Sequence, residues 1–269
     1  MKDLWPKQAP IQGMAGLWGG IQGSLTAGSG GSVDGVYPST SFLHLEAQNF
    51  TVGSNTWSQS ANSNNTQTIA AFGSNTFTKS GSGDTTKIIW PNTGTQYFMV
   101  NDLTLPVGIQ IICAWQENDP FIIEQSDGST NANSANGFYF YGNNGSIYGC
   151  YRTNWTSGTT SSIRTIDGIG SDWFPGDSVM RVGSMYMSAD GNSTGQVRVN
   201  NTIHNNVNVG LFPDGGLNVT KDVYIGSRNG NSIFFHGSAL SEVWIAPSDG
   251  IDTTQFATNV AAMVTKHGL

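Results

Sequence analysis

A chain of 269 residues with 37% hydrophobic content can bury a sizeable core, and all-β sandwiches of roughly 200 to 250 residues commonly fold as one domain. The 11 Lys and Arg against 18 Asp and Glu leave a net charge of -7, which excludes the basic stripe that phosphate neutralisation requires, so nucleic acid is not an expected partner. Charged residues are only 11% of the chain and no run approaches the roughly 18 apolar residues of a membrane span, so neither charge-driven disorder nor a spanning helix is expected.

The first segment, residues 1–34, combines Pro6, Pro10 and a dense glycine series with isolated large apolar residues. So much Gly and Pro disfavours a helix or a long strand. A plain flexible linker would lack Leu4, Trp5, Ile11, Leu17, Trp18 and Ile21. The composition predicts an extended arm that orders by laying these side chains into grooves on another protein, with a strand or loop packed on its own sandwich as the alternative. Lys2 and Lys7 are interrupted by Pro6 and Pro10 and lead into no continuous apolar core, so a secretory signal is not expected.

Residues 35–250 read as an all-β sandwich. Period-two alternation is clearest at 95–102, 108–115, 137–142, 178–188 and 196–200, and turn chemistry such as Asn143-Asn144-Gly145, Asp190-Gly191-Asn192 and Asp214-Gly215-Gly216 separates strands. Polar positions of that alternation are expected on faces that meet water. Near the end of the segment, Val223, Tyr224 and Ile225 form one strand. A second strand sets Leu240, Glu242 and Trp244 against Ser241, Val243 and Ile245, and the two read as neighbours. Cys113 and Cys150 lie inside strand-like runs, where buried free thiols are favoured over a cross-sheet pair.

Residues 251–269 carry the convincing helix. Asp252 is the expected cap with Gln255 as its reciprocal partner, and Ile251 can staple onto Phe256. Phe256, Val260, Met263 and Val264 share one face, Lys266 and His267 suit the negative C-terminal end, and Gly268 can stop the helix in a left-handed conformation. The apolar face predicts docking on the sandwich.

Three stretches carry a family resemblance. The segment VYIGSRNGNSIFFHGSALSEVWIA (223–246) resembles the late strands of concanavalin A-like, laminin G-type domains, where an IG-x-RNG turn precedes a G-x-L-x-E-V strand. HLEAQNFTVGSNTWSQSANSNN (44–65) is similar to the opening of bacterial and phage relatives, with Gln59 where Asp is usual and Ala61 where Gly is usual. The ending Lys266-His267-Gly268-Leu269 is similar to their K-Y-G-L close. The resemblance implies a concanavalin A-like jelly roll of two antiparallel sheets. It implies little about activity, because such sandwiches host lectins, adhesins, virion proteins and glycanases.

The residues themselves offer little chemistry. Glycanases of this fold carry two carboxylates on alternate residues of one strand, and no such run exists here; Glu117 with Asp119, and Glu124 with Asp127, read as solvated turn groups or caps. Gly191-Asn192-Ser193-Thr194-Gly195 matches a hydrolase elbow by letters but joins two strands, so Ser193 reads as a hairpin tip. The four histidines show no ligand spacing and no metal site is expected. Relatives bind calcium at the sandwich rim, yet the candidates Asn118, Asp119, Asp167, Asp172 and Asp177 have no spacing beyond turn composition, so no cofactor is expected. Sugar contacts would fall on Trp155, Trp173, Tyr151 and the Arg228-Asn229 loop.

The arm, the missing signal, the missing catalytic constellation and the phage-like wording together predict a non-enzymatic virion structural protein. It would display a lectin-like sandwich on the particle surface as a capsid decoration or tail-fibre component, within a homo- or hetero-oligomeric assembly. Its partners would be other virion proteins, through residues 1–34, and cell-surface glycan. A stand-alone glycan-binding module and a polysaccharide-degrading enzyme are the alternatives.

Overall fold

The computed structural model describes residues 41–269 apart from 61–62, 64, 66, 74–75, 92–95, 106–107, 117–120, 127–136, 144–145, 154–161, 170–177, 189–193, 209–218, 229–231 and 234–237. The arm expected at 1–34 therefore lies outside the described residues. β1 (Leu43–Glu46) runs through a 3-10 turn (Ala47–Asn49) into β2 (Phe50–Thr51), β3 (Thr56–Trp57) and β4 (Ile69–Phe72). β5 (Thr78–Ser80), β6 (Lys87–Ile89), β7 (Tyr97–Leu105), β8 (Ile109–Gln116) and β9 (Phe121–Ser126) follow. Next come β10 (Gly137–Asn143), β11 (Ser146–Thr153), β12 (Ser162–Ile169), β13 (Met180–Met187), β14 (Thr194–Val199) and β15 (Thr202–Asn208). The chain closes with β16 (Val219–Ile225), β17 (Ser227–Arg228), β18 (Ser232–Ile233), β19 (Ala239–Pro247) and α1 (Thr253–Lys266).

Apart from β17 and β18, which pair as a small sheet of their own, the strands make two antiparallel sheets, as the alternation predicts. One is ordered β15-β14-β13-β8-β19-β6-β5 with β1 also on β19, and the other β12-β11-β10-β9-β16-β7-β4-β3-β2. The Asn-Gly hairpin signal holds, for β10 and β11 pair as far as Asn143 opposite Ser146. Between the sheets lies one apolar core that draws Ile111, Cys113 and Trp115 from β8, Val243 and Ile245 from β19, Phe98 from β7 and Val223 from β16. Its densest part is aromatic. Phe50, Trp57, Phe77, Trp90 and Phe98 meet mostly edge to face, with centroids as close as 4.6 Å, between Phe77 and Phe98. Cys113 is buried and free, and burial pushes its thiol well above the usual range. The side chain of Cys150 lies outside the described residues.

The glycine of the IG-x-RNG turn has a physical reason. Gly226 sits at φ +84°, and a Cβ added there would come 3.0 Å from the indole nitrogen of Trp90. Gly226→Ala is expected to cost about 2 kcal/mol, through left-handed strain plus displacement of a buried ring. A denaturation midpoint unchanged from wild type would show that Trp90 yields freely.

Two expectations about the late strands change. β16 and β19 are near neighbours in sequence but belong to opposite sheets, so they do not pair. Leu240 does not share a face with Glu242 and Trp244, because the β19–β8 register shifts between Leu240 and Glu242. Leu240 joins Val243 and Ile245 in the inter-sheet core, while Trp244 and Ala246 pack on the helix side with Ile112 and Ala114. β8 and β19 are therefore buried on both faces, and neither presents a wet face.

The covering layer is α1. Phe256, Val260, Met263 and Val264 are buried against Ile112, Val182, Tyr186 and Trp244, with Ile251 packed alongside. That face contributes on the order of 6 kcal/mol before ordering costs. Asp252 caps the helix, its carboxylate accepting from the backbone N–H of Thr254 and Gln255 at 2.8 Å each. The reciprocal arm expected of Gln255 is not made; its amide donates to Asn259, which in turn donates to Gln110 of β8 at 3.0 Å. At the other end Gly268 has φ +68°, with Gly268 N–H bonded to Thr265 and Leu269 N–H to Val264, a Schellman stop.

Candidate functional site

The largest described cluster of ionisable side chains forms where β1, β19 and the end of α1 meet. Antiparallel pairing sets Glu46 opposite Glu242 and His44 opposite Trp244, so His44, Glu46 and Glu242 emerge on the helix side of the sheet. The last turn of α1 then delivers Lys266 and His267 onto them. Glu242, only 1% exposed, receives His44 Nε2 at 2.7 Å on one oxygen, and Lys266 Nζ at 2.9 Å with His267 Nε2 at 3.0 Å on the other. Lys266 Nζ also contacts Glu46 Oε1. Glu46 is completed by the Ser60 hydroxyl, which donates to Oε2 at 2.5 Å, and by the Gln48 amide.

Burial alone would raise the Glu242 carboxyl, but the hydrogen bonds of His267 and His44 and the charge of Lys266 overcome it and hold the group well below the ordinary range. Glu46 is lowered in the same way: burial opposes, while Lys266 and the Ser60 hydroxyl prevail. Lys266 is raised, since the two carboxylates outweigh its desolvation. The two carboxylates and the ammonium are thus all charged at neutral pH.

Three chemical roles can be weighed for it. Donor atoms of His44, Glu46 and Glu242 lie within 4.8 Å of one another, a spacing suited to a cation, but the Lys266 ammonium already bridges the two carboxylates. A general acid or nucleophile needs access to substrate, and Glu242 is sealed from it. What the arrangement does is tie the helix end to the sheet through a buried ion network. The sequence hides this pairing, because Glu46 reaches Glu242 across a strand pair and not along one strand. The departure at Gln59 also acquires a role, its side-chain oxygen accepting from the backbone N–H of His44 at 3.1 Å.

A second feature is the outer face of the other sheet. On β4, β7 and β16 the residues alternating away from the core include Phe72, Tyr97 and Tyr224, in register through Phe72 opposite Tyr97 and Tyr224 opposite Met99. The Phe72 and Tyr97 rings are parallel within 6° at 5.2 Å, and Tyr97 lies 5.8 Å from Tyr224. Phe72 is 39% exposed, and Tyr97, Tyr139 and Tyr141 are half-buried. Beside these rings stand Asp222, which accepts from the Tyr224 hydroxyl at 3.4 Å, and Glu124, opposite both Tyr139 and Tyr224. Glu124 is 0% exposed, which corrects its reading as a solvated turn group: it occupies the middle of β9.

Of the side chains expected to meet sugar, Trp155, Trp173 and Asn229 lie outside the described residues, as do the arm residues, Ser193 and the rim candidates Asn118, Asp119, Asp172 and Asp177. For Tyr151, Arg228 and Asp167 the backbone alone is described. Tyr151 stands opposite the core residue Phe138, Arg228 opposite Ser232, and Asp167 opposite Tyr148. Among the described residues, no helix is long and apolar enough to cross a membrane.

No family model and no curated protein matches the sequence. Solved structures do match the fold. The binding domain of botulinum neurotoxin serotype D aligns with a TM-score of 0.56 at 10% identity, over 86% of this chain and 51% of that one. The binding domain of botulinum neurotoxin DC in complex with SialylT aligns at 0.56 and 9% identity, over 83% and 51%. The binding domain of Paraclostridial Mosquitocidal Protein 1 aligns at 0.50 and 10%, over 77% and 48%. The chain thus spans about half the length of the structures it resembles. Identities this low speak for architecture alone, and with the two-sheet topology they make the chain, in fold, a concanavalin A-like jelly-roll sandwich.

Proposed function

We propose that this chain is a non-enzymatic carbohydrate-binding sandwich, displayed on a phage particle and held there by residues 1–34 against other virion proteins. The observation that carries the binding reading is a contrast within the sandwich. Its charged cluster around Glu242 is sealed and consumed by helix docking, whereas the outer face of the opposite sheet leaves aromatic rings half open. Open rings beside hydroxyl and carboxylate groups suit sugar, which offers an apolar ring face and a polar edge. Further support comes from the three similar structures, all binding domains, one of them in complex with SialylT.

The virion part is supported by the composition of the arm and by the phage-like wording of 44–65 and 266–269. A stand-alone module is the second reading, favoured by the compactness of Ser32–Leu269 as one unit. Deleting residues 1–34 separates the two. The shortened chain is expected to keep its melting temperature and its binding on a glycan array, and to lose incorporation into particles. Particle proteomics that never finds the full-length chain would remove the virion role, and a silent glycan array would remove the binding role.

A further inference from the structure

We propose that the outer face of the nine-stranded sheet is the sugar site, and that it takes a neutral oligosaccharide laid across β4, β7 and β16. The inference rests on the carbohydrate reading above and adds to it a place and a ligand class. The two sheets treat their outer faces differently. α1 covers that of the first sheet, closing Ile112, Val182 and Trp244 off from water. On the second sheet Phe72 and Tyr97 are stacked in parallel, yet Phe72 stays 39% exposed and Tyr97 half-buried. Rings that served only the core would be covered; here the Phe98 beside Tyr97 does that work, at 0% exposure on the opposite side of β7.

The geometry fits a pyranose. Phe72 and Tyr97 are stacked at 5.2 Å, so the 39% exposed Phe72 ring is the platform for the C–H face of one sugar ring, with Tyr97 behind it and the buried Tyr224 supporting Tyr97 at 5.8 Å. On the same face the partly exposed Asp222 carboxylate lies beside Tyr224, and further along β7 and β16 stand the exposed Thr104 and Thr220 hydroxyls, which meet at 2.6 Å. These can exchange hydrogen bonds with sugar hydroxyls. Charge selects the ligand class. The charged group that stands partly exposed beside these rings is Asp222, an acid, on a chain of net charge -7. A sialylated or uronic-acid ligand would place its carboxylate beside Asp222 and be repelled; a neutral chain is not.

The test is calorimetric titration of the full chain with cellohexaose, mannohexaose, lactose and 3′-sialyllactose, repeated for Phe72→Ala and Tyr97→Ala. A neutral sugar is expected to bind, sialyllactose to bind more weakly than lactose, and each substitution to weaken binding about tenfold with the melting temperature held within about 2 °C. Phe72→Ser, at an exposed position, keeps the test decisive should Tyr97→Ala unfold. Unchanged affinity in the Phe72 variants, with binding lost in Trp155→Ala or Trp173→Ala, overturns this site and leaves the carbohydrate reading intact. Preference for sialyllactose over lactose overturns the neutral class. Absence of binding to any member of this panel, together with a silent glycan array, overturns the site and the carbohydrate reading together.

Discussion

Glu242→Gln is expected to lower the folding stability by on the order of 3–5 kcal/mol, the range for breaking a buried ion network from one side. The substitution keeps the shape of the side chain and removes only its charge. Lys266 is then left with Glu46 alone, and His44 and His267 lose the anion that both their ring nitrogens address at 2.7 and 3.0 Å. Replacing the ions by apolar groups separates mutual compensation from raw contribution: Glu242→Leu with Lys266→Met should recover much of the loss. Urea denaturation of the four members of that cycle measures the coupling. A loss below 1 kcal/mol for Glu242→Gln would mean the network is solvated and the helix end untied. A polysaccharide-cleaving activity abolished by the same change would reverse the non-enzymatic reading instead.

The same network sets a pH window. Glu46 and Glu242 titrate below their ordinary 4.5 in the folded chain, so their stabilisation is present above that value and is lost as pH falls through their folded values. Lys266 titrates above its ordinary 10.5, so its share is present below 10.5 and is lost as pH rises through its folded value. The stability gap between wild type and Glu242→Gln is therefore expected to narrow in strong acid, as pH falls through the folded values of the two carboxylates.

Much of the fold is legible from local pattern because local pattern caused it. Alternation at 108–115 and 178–188 predicts β8 and β13, and the Asp252 cap with Gly268 predicts α1 to within a residue or two. What local pattern could not carry is anything decided across the sheet. His44 and Glu242 are 198 residues apart, and Glu46 and Lys266 are 220 apart. One signal was available: His267 stands four residues after Met263 and three after Val264, on the buried stripe of the helix, so it required a buried acceptor. Alternation alone puts Leu240 on the wrong face because a bulge shifts the period by one, and Glu124 reads as turn chemistry although β9 runs through it. The ring face was illegible for a related reason. Phe72, Tyr97 and Tyr224 come from three strands far apart in sequence, and only the β4-β7-β16 order makes them neighbours.

Phe256→Ala combined with Val260→Ala should unfold the protein as a whole rather than release the helix alone. The two truncations cost on the order of 5 kcal/mol, most of what that face contributes and comparable with the lower end of the roughly 5–15 kcal/mol that holds a domain together. Sequence periodicity sets residues 251–269 apart as a body docked on a finished sandwich. The contacts argue for a shared core: the helix packs in one buried cluster with Trp244, Ile112 and Ala114 on two central strands of its sheet. Losing it would also uncover Glu242 and break the bond from Asn259 to Gln110 and that from the Tyr186 hydroxyl to the Ile251 carbonyl at 2.6 Å. In native-state hydrogen exchange, protection across 253–266 is expected to fall together with that of 109–116 and 239–247. Selective loss across 253–266, with both strands still protected, would show that the sheet closes without its helix. The ion network around Glu242 would then fasten an appendage rather than complete a core.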